Sequence, residues 1–303
     1  MDFYFNSKDG KTKIRALMWI PKNEIKAILQ ISHGMLEHME RYDHFGNYMA
    51  SKGILVVGND HLGHGSSVTS EEDRGYLYKD WHALIEDMHN LMVIIREKYP
   101  GVPYFLLGHS MGSFLTRYFI TVYGKEIDGA IIMGTGQQPR ALIKFGLLLT
   151  HFIALFKGWK YRSKFINYLV LGENNKKFKP AKTKSDWLTR DEKIVDAYLS
   201  DNRIDFIFTL NGFNNLFRLI LQMNDKSQIN NISKDLPLLL VSGQNDPVGD
   251  FGKGVHKTYN MYKALGMKNI SMKLYAEDRH EILNELDREQ VYEDILRWIE
   301  KNK

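Results

Sequence analysis

The sequence predicts an α/β protein: a mostly parallel central sheet flanked by helices, with one helical insertion. Three observations carry this expectation. Short, continuously apolar runs recur along the chain, as suits strands buried on both faces. Amphipathic helical stretches separate them and are long enough for parallel crossovers. Between residues 137 and 228, however, no such run occurs. At 303 residues and 44% apolar content the chain can bury a substantial core.

Residues 3–6 and 14–20 flank Ser7-Lys8-Asp9-Gly10 in the manner of an antiparallel hairpin, expected at one edge of the sheet. The run 27–32 leads into His33-Gly34-Met35. Residues 41–52 read as a helix ended by Gly53, and 54–58 as the next strand, followed by a loop from Asp60 to Ser66. Trp81, Leu84, Ile85, Met88, Leu91, Met92 and Ile95 recur at three- and four-residue intervals, which predicts a helix over 80–99 stopped before Pro100-Gly101. A strand at 104–107, a helix at 113–123 and a strand at 130–133 follow.

Beyond Gly136 only helical segments appear, at 142–156, 165–171, 194–199 and 213–223. The strand pattern resumes at 238–241, then come a helix at 254–265, a strand at 271–275 and a last helix with Val291, Ile295, Trp298 and Ile299 as its apolar stripe. The expected division is a core of residues 1–136 and 229–303 with a helical cap of 137–228. An insertion of that size exceeds an ordinary loop and suits a lid over an active site.

The chemistry centres on Gly108-His109-Ser110-Met111-Gly112, entered from a strand and left by a helix. That context makes G-x-S-x-G a nucleophile elbow, in which a sharp turn strains the serine and leaves no room for side chains two positions away on either side. A serine hydroxyl needs a base, and the base needs an anion to fix its tautomer. His280 and Asp246 each lie just past a strand, and the order Ser, Asp, His is that of α/β hydrolases. Asp278 is too near His280 in sequence to reach its far nitrogen, and Asp250 lies several residues beyond its strand. His109 is expected to point away from the serine, and His33, His61 and His64 to make structural hydrogen bonds. An oxyanion hole requires two backbone N–H groups; Met111, at the helix start, and Met35, after the first parallel strand, are the expected donors.

Composition narrows the rest. With no cysteine, disulfides and thiolate metal sites are excluded. Asp60, His61 and His64 match no metal-ligand spacing, no nucleotide fingerprint occurs, and neither metal nor cofactor is expected. The charge is +5 overall, yet residues 157–193 carry eleven Lys or Arg against four acids. Such a block suits an anionic membrane surface or a solvated face, and no nucleic-acid motif accompanies it. The stretch 141–156 is broken by Lys144 and His151 and is too short to cross a bilayer. Charges interrupt the first twenty-two residues, so the expected location is the cytoplasm.

Taken in order, SHGMLEHMERY, NDHLGHGSS, GHSMGS, SGQNDPVG and DRHEILNE resemble the monoacylglycerol lipase and lysophospholipase branch of the α/β hydrolases, sometimes grouped with serine aminopeptidases. The resemblance implies the α/β-hydrolase fold, a triad of Ser110, Asp246 and His280, oxyanion donors at Met35 and Met111, and a lid over an acyl tunnel. It places Glu37 and Arg41 near the alcohol-binding end, as substrate contacts or as a salt-bridged pair bracing the loop. Relatives commonly carry small residues after the His-Gly pair, whereas Met35 and Leu36 are bulky, a departure that bears on pocket width. The expected activity is hydrolysis of a monoacylglycerol, lysophospholipid or simpler acyl ester through an acyl-serine. The alternatives are an amidase or aminopeptidase on the same triad, and a non-catalytic ligand-binding protein of this fold.

Overall fold

A computed structural model describes residues 1–303. The hairpin forms as expected, with β1 (Asp2–Asn6) antiparallel to β2 (Lys13–Trp19). β2 also runs antiparallel to β4 (Ile54–Asn59), and from there the sheet is parallel through β3 (Ala27–Ser32), β5 (Tyr104–His109), β6 (Gly129–Met133), β7 (Leu238–Gly243) and β8 (Ile270–Tyr275). The spatial order is β1-β2-β4-β3-β5-β6-β7-β8. Every residue of β3 to β7 is buried, which is why these strands read as unbroken apolar runs. Ser32 pairs with Gly108 and His109 with Met133, so the carboxyl ends of three neighbouring strands finish level. Ligands of open α/β sheets bind at this edge.

Helices cover both faces. One face packs on α1 (Asp43–Ser51) and α10 (Arg288–Asn302), through Phe45, Met49, Val291 and Ile295 among others. The opposite face packs on α2 (His82–Lys98), α3 (Met111–Val122) and α9 (Lys253–Ala264). Between β6 and β7 the chain makes α4 (Arg140–Lys157), α5 (Lys164–Leu171), α6 (Glu192–Ser200), α7 (Leu210–Gln222) and the short α8 (Lys226–Ile229). α7 is sunk into the main core: Phe213, Leu216, Leu219 and Ile220 are buried in the same apolar cluster as α2 and α3. α4 packs on α7 through Ile143 and Ala154 but leaves Leu148, Phe152, Leu155 and Phe156 exposed, the last two at 81% and 73%. No helix is long and apolar enough to cross a membrane.

Three boundaries differ from expectation for local reasons. The stretch expected to be helical from residue 41 opens with a 3-10 turn at Met39–Tyr42, whose first N–H is held by Asp60 Oδ1 at 2.8 Å, and α1 begins only at Asp43. α3 starts at Met111 rather than near 113, because the helix begins on the residue after the strained serine. Asp225 caps α8 by accepting from the Ser227 N–H, so the helical stretch between β6 and β7 runs just past residue 228.

Candidate active site

Ser110 sits between β5 and α3 at φ 53° and ψ −118°, a left-handed conformation that an L residue adopts only under constraint. The constraint is crowding. A Cβ added to Gly108 would lie 2.2 Å from the Gly112 carbonyl oxygen, and one added to Gly112 would lie 1.9 Å from the Ser32 oxygen. Ser110 N–H donates to the Met133 oxygen at 3.0 Å, and the Ser113 hydroxyl donates to the Ser110 carbonyl at 2.6 Å. These contacts fix the turn from both sides and leave the Ser110 side chain on the wall of a cavity.

Asp246 follows β7 and is fully buried. Its Oδ1 accepts from the Val248 N–H and lies 2.9 Å from His280 Nδ1, while Oδ2 accepts from the Ser242 hydroxyl. A carboxylate on Nδ1 makes that nitrogen the proton carrier and leaves Nε2 the acceptor. His280, past β8, lines the same cavity as Ser110. No hydrogen bond joins Ser110 Oγ to His280 in this structure; hydrolase sites without substrate are often loose at this contact.

Met35 and Met111 also line the cavity. The Met111 N–H belongs to the first residue of α3 and has no carbonyl one turn back to donate to. The Met35 N–H has no acceptor either. Leu36, next along, is held at φ 58°, so the loop that offers the Met35 N–H is itself constrained.

Behind this wall lies a buried polar network. Glu37 Oε2 accepts from the Tyr42 hydroxyl at 2.6 Å and from the Gly34 N–H at 3.2 Å, and Oε1 lies 2.9 Å from His109 Nδ1. Burial alone would raise the Glu37 carboxyl, but His109, Arg41 and Tyr42 hold it well below the usual carboxylate range. Burial pulls His109 down, and the Glu37 carboxylate more than restores it, to above an ordinary histidine. His109 Nε2 contacts the His280 carbonyl oxygen at 3.2 Å and its ring stands 4.7 Å from that of His280. So His109 points away from the cavity, as expected, but into a contact that supports the His280 loop, which its place in the sequence does not announce.

Of the two readings open for Arg41, its contacts are those of the salt-bridged brace, with Glu281 as the main partner. Its guanidinium makes a bidentate pair with Glu281 at 2.7 Å on each arm, lies 3.8 Å from Glu37, and does not line the cavity. Glu37 does line it, with its carboxylate engaged by three internal partners. Asp278 forms its ion pair with Arg190 rather than with His280. His33 bonds the Gly34 oxygen and the His61 N–H, His61 the Ser32 hydroxyl, and His64 the Leu62 oxygen. Burial pushes these three imidazoles down, His33 to about 4 and His64 to about 3, so they pack as neutral rings.

The cavity occupies about 1670 Å³. Ser110 and His280 line it, and most of the remaining lining comes from residues 137–228, with apolar Ile143, Val170, Leu188, Phe206 and Phe217 beside charged side chains such as Arg162 and Asp205. Met35 and Leu36 both line it. Trp187, which nothing in the sequence marks, lies with its ring 5.0 Å from that of His280.

The family described as serine aminopeptidase, S33, matches residues 23–287. The chain belongs to this family. It is 27% identical to a monoglyceride lipase homolog of monkeypox virus over 93% of this chain and 92% of that one. It is 26% identical to human monoglyceride lipase, over 93% of this chain and 84% of that one. Among solved structures, a highly thermostable carboxyl esterase from Bacillus coagulans, in complex with glycerol, superposes with a TM-score of 0.91 at 27% identity, covering 100% of this chain and 98% of that one. The family member described here has the α/β-hydrolase fold, with its sheet mostly parallel and flanked by helices.

Proposed function

We propose that Ser110 is the nucleophile, His280 the general base and Asp246 the group that fixes the base, in an enzyme that cleaves acyl esters of lipid type. The chain is a carboxylic ester hydrolase. The observation that carries the assignment is a convergence: a strained serine, an Asp-bonded imidazole and two unengaged backbone N–H groups on the wall of one apolar cavity. As Ser110 Oγ attacks the ester carbon, its proton passes to His280 Nε2, and charge developing on the carbonyl oxygen is met by the Met35 and Met111 N–H groups. The proton then goes to the departing alcohol as the C–O bond breaks, leaving an acyl-serine. Water attacks the acyl carbon with His280 again as base, and the fatty acid leaves as Ser110 is restored.

The substrate class follows from size and lining. Pockets for drug-sized ligands occupy about 300–1,000 Å³. A mostly apolar space of about 1670 Å³ has room for a long acyl chain with a small head group, as in a monoacylglycerol or lysophospholipid. An aminopeptidase would need a free carboxylate for the substrate ammonium. Glu37 is poorly suited, because Gly34, Tyr42 and His109 already engage its oxygens. We read residues 137–228 as a cap, with Glu37 and Arg41 bracing the loop beneath it. The exposed face of α4, with Lys144, Lys157, Lys160 and Lys164 nearby in the sequence, suits peripheral contact with an anionic membrane.

The test is twofold. A fluorophosphonate probe is expected to label Ser110, and Ser110→Ala to lower turnover by something on the order of 10⁶; a folded protein that is not labelled overturns the assignment. Rates on nitrophenyl esters of increasing chain length, with and without anionic vesicles, are expected to peak at long chains and rise with vesicles. A short-chain maximum indifferent to vesicles removes the lipid-surface reading while leaving the esterase.

A further inference from the structure

The insertion does more than roof the cavity: one of its loops is bonded to the segment that carries His280. Glu281 N–H donates to the Leu188 oxygen at 2.7 Å and His280 N–H to the Trp187 oxygen at 3.4 Å, so two successive backbone bonds join the segments. Thr189 adds a bond from its hydroxyl to the Asn284 oxygen at 2.9 Å. Next to them, Arg190 places its guanidinium among three carboxylates, 2.7 Å from Asp278 Oδ1, 2.9 Å from Glu285 Oε2 and 2.5 Å from Asp287 Oδ1. These acids, close enough together to hold a cation, are thus served by a cation of the chain itself.

The burial of those acids gives the contact its weight. Asp278 and Glu285 are fully buried, and both lie within five residues of His280. Burial, with Asp287 and Glu285 nearby, pushes the Asp278 carboxyl up to about 8, and Arg190 opposes that rise. Glu285 in turn accepts the Arg279 N–H at 2.9 Å, immediately before the histidine. Removing the guanidinium leaves three closely spaced acids without their cation, so they take up protons or move apart, and either response loosens the ion-paired segment that carries His280. Arg190 itself does not line the cavity.

We infer that Arg190, borne by the insertion, is a positioning residue for His280: its guanidinium fork holds the Asp278–Asp287 loop, and with it the imidazole, in register with Ser110. The inference rests on His280 being the base. Trp187, its ring tilted against the imidazole with centroids 5.0 Å apart, flanks His280 on the cavity side. The insertion therefore contributes to the chemical step as well as to substrate capture. A lysine carries the charge as a point and cannot bridge three carboxylates in the same plane.

The test compares Arg190→Ala, Arg190→Lys and His280→Ala in the full chain. The readouts are kcat and KM on a nitrophenyl ester, with the downfield proton resonance of the His280 Nδ1–H hydrogen bond read by NMR. Misplacing a catalytic group by about 1 Å costs on the order of 10²-fold. R190A is expected to lose about that much in kcat at nearly constant KM, with the resonance shifted or broadened, and R190K to fall between R190A and wild type. An unchanged kcat in folded R190A, with only the melting temperature lowered, overturns the inference, as does a raised KM at unchanged kcat. If R190A does not fold, R190K decides: wild-type kcat with an unmoved resonance overturns it. Full turnover in H280A would instead refute the identity of the base, whatever Arg190 does.

Discussion

Replacing Ser110 by glycine should make the protein more stable than replacing it by alanine. Both variants lose the hydroxyl, so both lose the nucleophile. Alanine keeps the Cβ and therefore keeps the cost of holding φ at 53° and ψ at −118°. Strain of this kind costs about 1–3 kcal/mol, and glycine gives back about 0.5–1 kcal/mol through the greater freedom of its unfolded chain. The Ser110 Cβ approaches Gly34, which bears no side chain. The net expectation is about 1–2 kcal/mol in favour of S110G. For a chain of 303 residues, with a melting entropy of about 2 cal/mol/K per residue, this corresponds to about 2–3 °C in Tm. Scanning calorimetry of the two variants in one buffer measures it. Equal melting temperatures, or a lower one for S110G, would refute the claim that the elbow stores strain in its serine.

Two further outcomes are expected. Asp246→Asn leaves the geometry in place but can present an N–H to His280 Nδ1 and turn the imidazole to the wrong tautomer; kcat should fall by about 10⁴ with KM little changed. A loss below about tenfold would move the anion's role elsewhere. Asp87 on α2 is buried, accepts from the Ser7 hydroxyl and Lys8 N–H at 2.7 Å each, and is pushed up to about 7 by burial. The native state thus keeps a proton that the unfolded chain releases near 3.8, so this group lowers stability as pH rises from about 4 to about 7. Asp87→Asn removes that slope, and its Tm relative to wild type should climb between pH 5 and 8; a pH-independent difference would contradict the assignment.

The strands and helices were legible because burial on two faces leaves unbroken apolar runs, and burial on one leaves a periodic stripe. Ala27–Ser32 matches its expected bounds to the residue for that reason. The Ser110 turn was legible for a different reason: glycines at 108 and 112 are demanded by contacts of about 2 Å, and such a demand reaches the sequence directly. A salt-bridged Arg41 was among the sequence readings, but its main partner was not legible, since Glu281 is 240 positions away and a guanidinium looks the same whether it greets a substrate or a buried carboxylate. Trp187 and Arg190 escaped notice likewise. Their partners lie across the fold, and within the insertion they read only as one more aromatic and one more base in a lysine-rich stretch.

The depth of α7 has a consequence for any attempt to pare this enzyme down. Phe213, Leu219 and Ile220 belong to the same buried cluster as α2 and α3, so excising residues 137–228 would not yield a minimal hydrolase but a sheet with one apolar flank laid open to water. Evolution or an engineer can trade the outer surfaces of α4 and α5, where Leu155 and Phe156 already stand in solvent, without disturbing that foundation. Foundation and free surface thus occupy different parts of the stretch between β6 and β7, and the second can drift while the first stays put.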